Sequence, residues 1–235
     1  MSLVVNTAIF SLLVQVIAGV FLVLGFFYKL NKEEKVLKTI ITLELIVQII
    51  ELIFYVFIIR LFASGDIDTS FRYKDWFFST PVMLISTMLF LVYLQQRKEN
   101  DEIRKVNPEA VKSVDVKAVF SDNKLLIIGI ILFNALMLIT GYLGEKGRMP
   151  IIPAFIFGTI FLTASFGCLY KFAHPTMFGR IFIGIMFFIW ALYGFAFLMP
   201  LKAKNISYNI LDIFSKNFYG VFLYIIITTH YGRVI

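Results

Sequence analysis

Charge is scarce in this chain. Asp, Glu, Lys and Arg make up 16% of its 235 residues, against about 25% in a soluble domain. With 60% hydrophobic residues, that balance excludes a soluble globular domain and predicts an integral membrane protein. Cysteine is almost absent: the single Cys168, inside an apolar run, supplies no disulfide framework. Only two histidines occur, His174 and His230, both near the ends of apolar runs and neither in a metal motif. The opening apolar run has no basic leader and is too long for a cleavable signal peptide. No internal repeat, low-complexity tract or catalytic domain after the last run is visible, so an enzyme is not expected. The net charge of +7 comes without a compact basic and aromatic patch, which argues against nucleic acid as a partner.

What the chain has in quantity is continuous apolar sequence. Only helices and closed barrels satisfy the backbone across a bilayer, and barrel strands alternate in polarity over about ten residues. The runs here are unbroken, so helices are predicted. Seven reach the length of about 20 residues needed to span: Val4–Phe27, Leu37–Phe62, Arg72–Gln95, Lys124–Leu143, Ile151–Lys171, Phe178–Met199 and Ile206–His230. The expected fold is all-α, a seven-transmembrane-helix bundle forming one domain over residues 1–235. Basic residues concentrate after the first, third and fifth runs and at the C-terminus, among them Lys29, Lys35, Arg97, Lys105, Lys117, Lys171, Arg180 and Arg233. The opposite connections hold Arg60, Lys146, Arg148, Lys202 and Lys204. The richer side should be cytoplasmic, with the N-terminus outside and the C-terminus inside. The connection from Gln96 to Asn123 reads as a solvated loop, with a short amphipathic helix near Val111–Phe120.

Against this background Lys216 stands out, near the middle of the last run with Asp212 four residues before it. An ammonium at membrane depth is costly and marks a functional site by default. Its amine is a covalent handle for an aldehyde, and a protonated imine there would need a counter-ion. Asp212 shares its helical face. The alternative is a lysine snorkelling to the interface. The third run opens Arg72-Tyr73-Lys74-Asp75-Trp76-Phe77-Phe78-Ser79-Thr80-Pro81. Arg72, Asp75 and Ser79 follow at i+3 and i+4 spacing, either as an isolated Arg72–Asp75 ion pair or as part of one balanced cluster with Asp212 and Lys216. Pro81 frees the carbonyl near Phe77 for a hydroxyl or water.

The pattern Arg-Tyr-x-Asp-Trp-x-x-Ser-Thr-Pro, with Asp-x-x-x-Lys in the last helix, resembles the microbial (type 1) rhodopsins over the whole chain. The resemblance implies all-trans retinal bound covalently to Lys216 as a protonated Schiff base. Asp75 would be the primary counter-ion and proton acceptor, Asp212 the second counter-ion, and Arg72 with Ser79 part of the same complex. The retinal pocket would comprise Trp76, Thr80, Asn134, Met137, Gly141, Phe155, Trp190, Tyr193 and Phe197. Phe197 replaces a frequent tryptophan and Gly194 a frequent proline, Asn134 with Thr80 replaces a frequent Asp–Thr pair, and Phe155 reads equally as plain packing.

Two acids of the family's outward proton pump are missing: Ser86 stands at the donor position and Lys204 at the release position. The second run instead carries Glu44, Gln48 and Glu51 on one helical stripe. Acids there should face protein or water, and such a stripe lowers the desolvation barrier for cations; a hydrogen-bonded helix seam is the alternative. Ser11 and Asn205 would extend the ion pathway, with Asn6, Gln15, Asn209 and Asn217 as further polar positions. The chain is most similar to the viral group-one rhodopsins, which implies a light-gated channel for monovalent cations with calcium as a modulator. A light-driven outward proton pump is the second reading and a photosensor the third. The expected partners are the lipid bilayer, monovalent cations or protons, and further copies of the chain in a homo-oligomer. The expected location is the plasma membrane or another cellular membrane of a host.

Overall fold

A computed structural model describes residues 2–231 of the chain. Arg233, counted above among the basic residues, lies outside the described residues, as does the side chain of His230. Seven helical segments are long and apolar enough to cross a membrane. They are α1 (Leu3–Gly25), α2 (Val36–Ala63), α3 (Arg72–Val106), α5 (Lys124–Glu145), α6 (Ile151–Ala173), α7 (Met177–Phe197) and a last span made of two parts. A short helix, α4 (Val116–Asp122), lies between α3 and α5. The last span joins α8 (Leu201–Asp212) to α9 (Phe218–Tyr231) through a π-helical turn at Ile213–Asn217. No strand occurs among the described residues.

Local chemistry sets the ends of these helices. Ser2 caps α1 by accepting from the Val5 amide, and Thr176 caps α7 by accepting from Gly179 at 3.0 Å. Pro150 and Pro200 immediately precede α6 and α8, where a missing N–H costs nothing. Gly65 and Gly147 turn the chain at φ +91° and +65°, a conformation open to glycine. Each spanning helix packs on its chain neighbours, and α1 closes the ring against α8 and α9. Large apolar side chains such as Ile17, Ile53, Phe57, Ile160 and Phe188 stay on the outside, as lipid requires.

The polar run after Gln95 corrects the sequence reading. Its first part is not a loop: α3 continues to Val106, and only residues 107–115 connect it to the short helix. Hydropathy ends at the membrane, but Gln, Arg, Lys and Glu are good helix formers in water, and Asp101–Arg104 and Glu102–Lys105 pair at i,i+3. The following segment is tied back to this extension, because Asn100 donates to the Lys112 carbonyl at 2.7 Å and accepts from its amide at 3.0 Å. The short helix begins at Val116 rather than Val111, since Asp115 accepts from the amides of Lys117 and Ala118.

The apolar core is interrupted. A large cluster that includes Leu37, Ile40, Met88, Phe90 and Leu223 fills the half of the bundle nearer the start of α2. A smaller one around Val5, Ala8, Tyr55, Ile58 and Phe62 fills the opposite end between α1 and α2. Buried polar residues of α1, α2, α3 and the last span lie between them.

Candidate functional site

Lys216 sits inside the π-helical turn and is 2% exposed, so it does not snorkel to an interface. A π turn carries an extra residue per turn and recurs at functional sites. The expected i,i+4 pairing with Asp212 is the longest contact, with Nζ 3.8 Å from Asp212 Oδ1. The shortest is to Asp75 Oδ2 at 2.9 Å. Glu51 Oε1 lies 3.5 Å away, a contact not anticipated from the stripe reading of the second helix. Three carboxylates, from α2, α3 and α8, thus converge on one amine.

Asp212 is held by donors on its other sides. Tyr55 donates to Oδ2 at 2.6 Å, Tyr193 to Oδ1 at 2.8 Å, and Arg72 Nη1 lies 3.3 Å from Oδ2. Arg72 pairs with Asp212 and not with Asp75, which removes the isolated Arg72–Asp75 pair. The rest of its fork reaches Asn205 at 3.3 Å and Asn209, and its guanidinium lies 5.7 Å from the ring centres of Tyr55, Phe62 and Tyr208. Asn209 in turn donates to Thr7 at 2.9 Å, and Asn205 to the Ile67 carbonyl at 2.7 Å. A buried guanidinium with this many acceptors is compensated for its lost hydration.

The hydroxyls of the third helix serve its backbone. Ser79 donates to the Asp75 carbonyl at 3.0 Å and Thr80 to the Trp76 carbonyl at 2.7 Å, so neither takes the Phe77 carbonyl that Pro81 frees. Ser79 therefore steadies the Asp75 backbone. Asn134 donates to Thr80 Oγ1 at 2.8 Å and stands behind the wall of the adjoining cavity.

That cavity runs from Lys216 between α3, α5, α6 and α7. Trp76, Thr80, Met137, Gly141, Phe155, Trp190, Tyr193 and Phe197 all line it. Trp76 meets Tyr193 and Tyr208 edge-on, with ring centres 5.6 and 5.0 Å away. Gly141 is required: a Cβ there would lie 2.6 Å from the Tyr73 hydroxyl. Gly194 faces Phe155, whose ring an added Cβ would meet at 3.4 Å, an ordinary contact. A long apolar slot with one amine at its end and carboxylates around that amine fits retinal, an aldehyde on an apolar polyene.

On α2, Glu44 and Glu51 are fully buried and Gln48 is 4% exposed. Gln15 donates to the Gln48 carbonyl at 3.0 Å, which places α1 against the stripe. Ser86 meets Glu44. Ser11 Oγ, Gln15 Oε1 and both side-chain polar atoms of Gln48 and Asn217 are buried without a hydrogen-bond partner. At the far end, Lys204 is paired with Glu145 at 2.8 Å and nearly buried with it, and Thr69 donates to the same carboxylate at 2.6 Å.

The sequence reading missed Tyr55, Glu145 and the placement of Glu51. Tyr55 had a signal, since it lies four residues past Glu51 on the same stripe as 44, 48 and 51. Glu145, the last residue of α5, had none.

The family model for bacteriorhodopsin-like proteins matches residues 6–230, and this chain belongs to that family. It is a microbial rhodopsin, an integral multi-pass membrane protein that binds retinal covalently. Similar solved structures include the viral rhodopsin OLPVRII, at 24% identity and TM-score 0.76 with all of each chain covered. Blue light-absorbing proteorhodopsin from Med12 aligns at 17% identity and TM-score 0.72, covering 97% of this chain and 98% of that one. Xanthorhodopsin, described as a light-driven ion pump with dual chromophore, aligns at 18% identity and TM-score 0.68, covering 99% and 94%. No curated protein matches this chain.

Proposed function

We propose that this chain is a light-gated cation channel in which Lys216 holds retinal and the seam beside α2 is the ion path. When bound, retinal supplies absorption of visible light and a change of shape at its link to the lysine. Asp75, at 2.9 Å, is the first acceptor for a proton leaving the Lys216 nitrogen. Asp212, fixed by Tyr55, Tyr193 and Arg72, balances the remaining charge. Moving that proton discharges the ion pairs that bind Lys216 to α2 and α3, and this loosens the bundle around the lysine.

One observation carries the channel reading: the buried polar stripe Glu44–Gln48–Glu51 leads to Lys216, and Asn209 and Asn205 continue beyond it. A helix seam built only for packing pairs its polar groups. Here Ser11, Gln48 and Asn217 keep buried polar side-chain atoms without hydrogen-bond partners, as expected for groups that serve a passing hydrated ion. The Glu145–Lys204 pair, with Thr69, closes the far end at rest. By the basic-residue bias, the start of α2 faces the cytoplasm and the N-terminus lies outside.

Gln48→Leu and Glu51→Gln should each cut the photocurrent per pigment molecule severalfold while leaving a visible pigment. Currents per pigment that match the unmodified chain would show that the seam is structural. A proton pump is the second reading, favoured by the Asp75–Lys216 contact and by the acid that Glu44 sets against Ser86.

A further inference from the structure

We propose that retinal reaches Lys216 sideways, out of the bilayer, through a window between α6 and α7 framed by Thr159 and Phe195. This rests on the reading of Lys216 as the retinal lysine, and it holds for a channel and a pump alike.

The cavity that reaches Lys216 is lined on this side by Phe155, Gly158 and Thr159 of α6 and by Ala191, Gly194 and Phe195 of α7. Two of these face outward as well: Thr159 is exposed, and Phe195 is 57% exposed. Residues that touch both the cavity and the lipid-facing surface mark a place where one opens toward the other. Gly158, Ala191 and Gly194 put little or no side chain into the seam. Close packing does not demand this at the two glycines. A Cβ on Gly158 would meet only Thr140 Oγ1, at 3.6 Å, and one on Gly194 would first meet the Phe155 ring, at 3.4 Å. What bars the window is a pair of rings, Phe155 and Phe195, with centres 5.9 Å apart and planes tilted by 53°. Phe195 already stands largely in lipid, and exposed side chains change rotamer in picoseconds to nanoseconds. Its ring can swing aside without parting the helices.

The other approaches suit retinal poorly. An apolar polyene partitions into the bilayer, whereas Lys216 is 2% exposed and deep in the bundle. On one side lie the Arg72–Asp212 pair and the Glu145–Lys204 pair. On the other lies the apolar cluster around Leu37, Ile40, Met88 and Phe90. The seam beside α2 holds Glu44, Gln48 and Glu51, and an apolar chain passing there would strip polar groups of partners it could not replace. The window joins lipid to the slot over apolar surface. On arrival the aldehyde carbon forms a double bond to the Lys216 nitrogen. The carbonyl oxygen leaves as water with two of the three ammonium hydrogens, and the third stays on nitrogen. The buried, unpartnered amides of Gln48 and Asn217 give that water a polar way out.

The rate of loading tests this. Trp76 and Trp190 are the chain's two tryptophans and both line the cavity, so arriving retinal quenches their fluorescence by energy transfer before any bond to nitrogen forms. Retinal-free protein in lipid vesicles is mixed with retinal, and the slow phase of quenching is followed together with growth of the visible band. Thr159→Phe should slow both about tenfold. Ile160→Phe, one residue along, 54% exposed and not part of the cavity lining, should slow neither. Phe195→Ala should speed the quenching. Quenching at the unmodified rate in Thr159→Phe overturns the proposal. If that variant does not fold, a Phe195→Ala that loads no faster than the unmodified chain overturns it. Lys216→Ala should quench at the ordinary rate and gain no visible band. A visible band there would refute the lysine reading instead, and the quenching rates would still decide the window.

Discussion

Replacing Lys204 by methionine removes the cation that faces Glu145 and leaves the stem volume nearly intact. The two side chains are 8% and 6% exposed and 2.8 Å apart. After the change, Glu145 keeps only the Thr69 hydroxyl, 2.6 Å away. Breaking one side of a buried pair costs about 3–5 kcal/mol, because the other charge is left uncompensated, whereas replacing both partners by neutral groups is often close to neutral. For a chain of this size, 1 kcal/mol moves the midpoint of thermal unfolding by about 2–4 °C. Lys204→Met should therefore lower the midpoint by roughly 6–20 °C, read as loss of the visible band in detergent at one fixed heating rate. Glu145→Gln should lower it too, since Lys204 is left with only the Phe197 ring, 5.1 Å away. The double variant should return to within about 4 °C of the unmodified protein. If each single change moves the midpoint by less than about 4 °C, the pair is hydrated and does not clamp α5 to α8.

Further outcomes follow from the same geometry. Lys216→Ala should yield a colourless protein, and Asp75→Asn should absorb to the red because the nearest negative charge is gone; an unmoved maximum would assign the main counter-ion role to Asp212 or Glu51. Tyr55→Phe removes a donor to a buried carboxylate at 2.6 Å and should cost about 1.5–3 kcal/mol; equal thermal stability would mean that Asp212 needs no help from α2. Burial raises the Asp68 pKa, but bonds from Ser70 and Lys146 outweigh it and hold the carboxyl below its ordinary value. Its contribution is present above the unfolded value of about 3.9 and is lost as pH falls through the lower folded value. Asp68→Asn should thus cost well under 1 kcal/mol at neutral pH, since the pair with Lys146 is exposed and screened. The gap to the unmodified protein should close in acid, and a gap that persists there would point to a role for the side chain other than its charge.

The parts of this molecule legible in the sequence are those set by single helices. Seven apolar runs gave seven spans, and Lys216, Asp75 and Asp212 announced themselves as charges where charge is costly. What escaped depends on how each helix is rotated against its neighbours. A helix turns by about 100° per residue, so the spacing of Glu44, Gln48 and Glu51 defined a stripe without saying what it touches. Contacts then divided the stripe: Glu51 went to Lys216 and Glu44 to Ser86, residues more than 40 positions away in each case. The π turn around the lysine is invisible to periodicity. Lys204 looked like a mere loss of an acid until Glu145 was seen beside it. The extension of α3 was missed because hydropathy measures lipid and says nothing of helix propensity beyond it.

The most direct test of the central claim is whole-cell photocurrent against voltage, with retinal supplied and the cation gradients varied across the membrane. A channel gives a current that reverses sign at a potential tracking those gradients. A current that stays outward at every voltage and ignores the gradients would contradict the account and identify a pump.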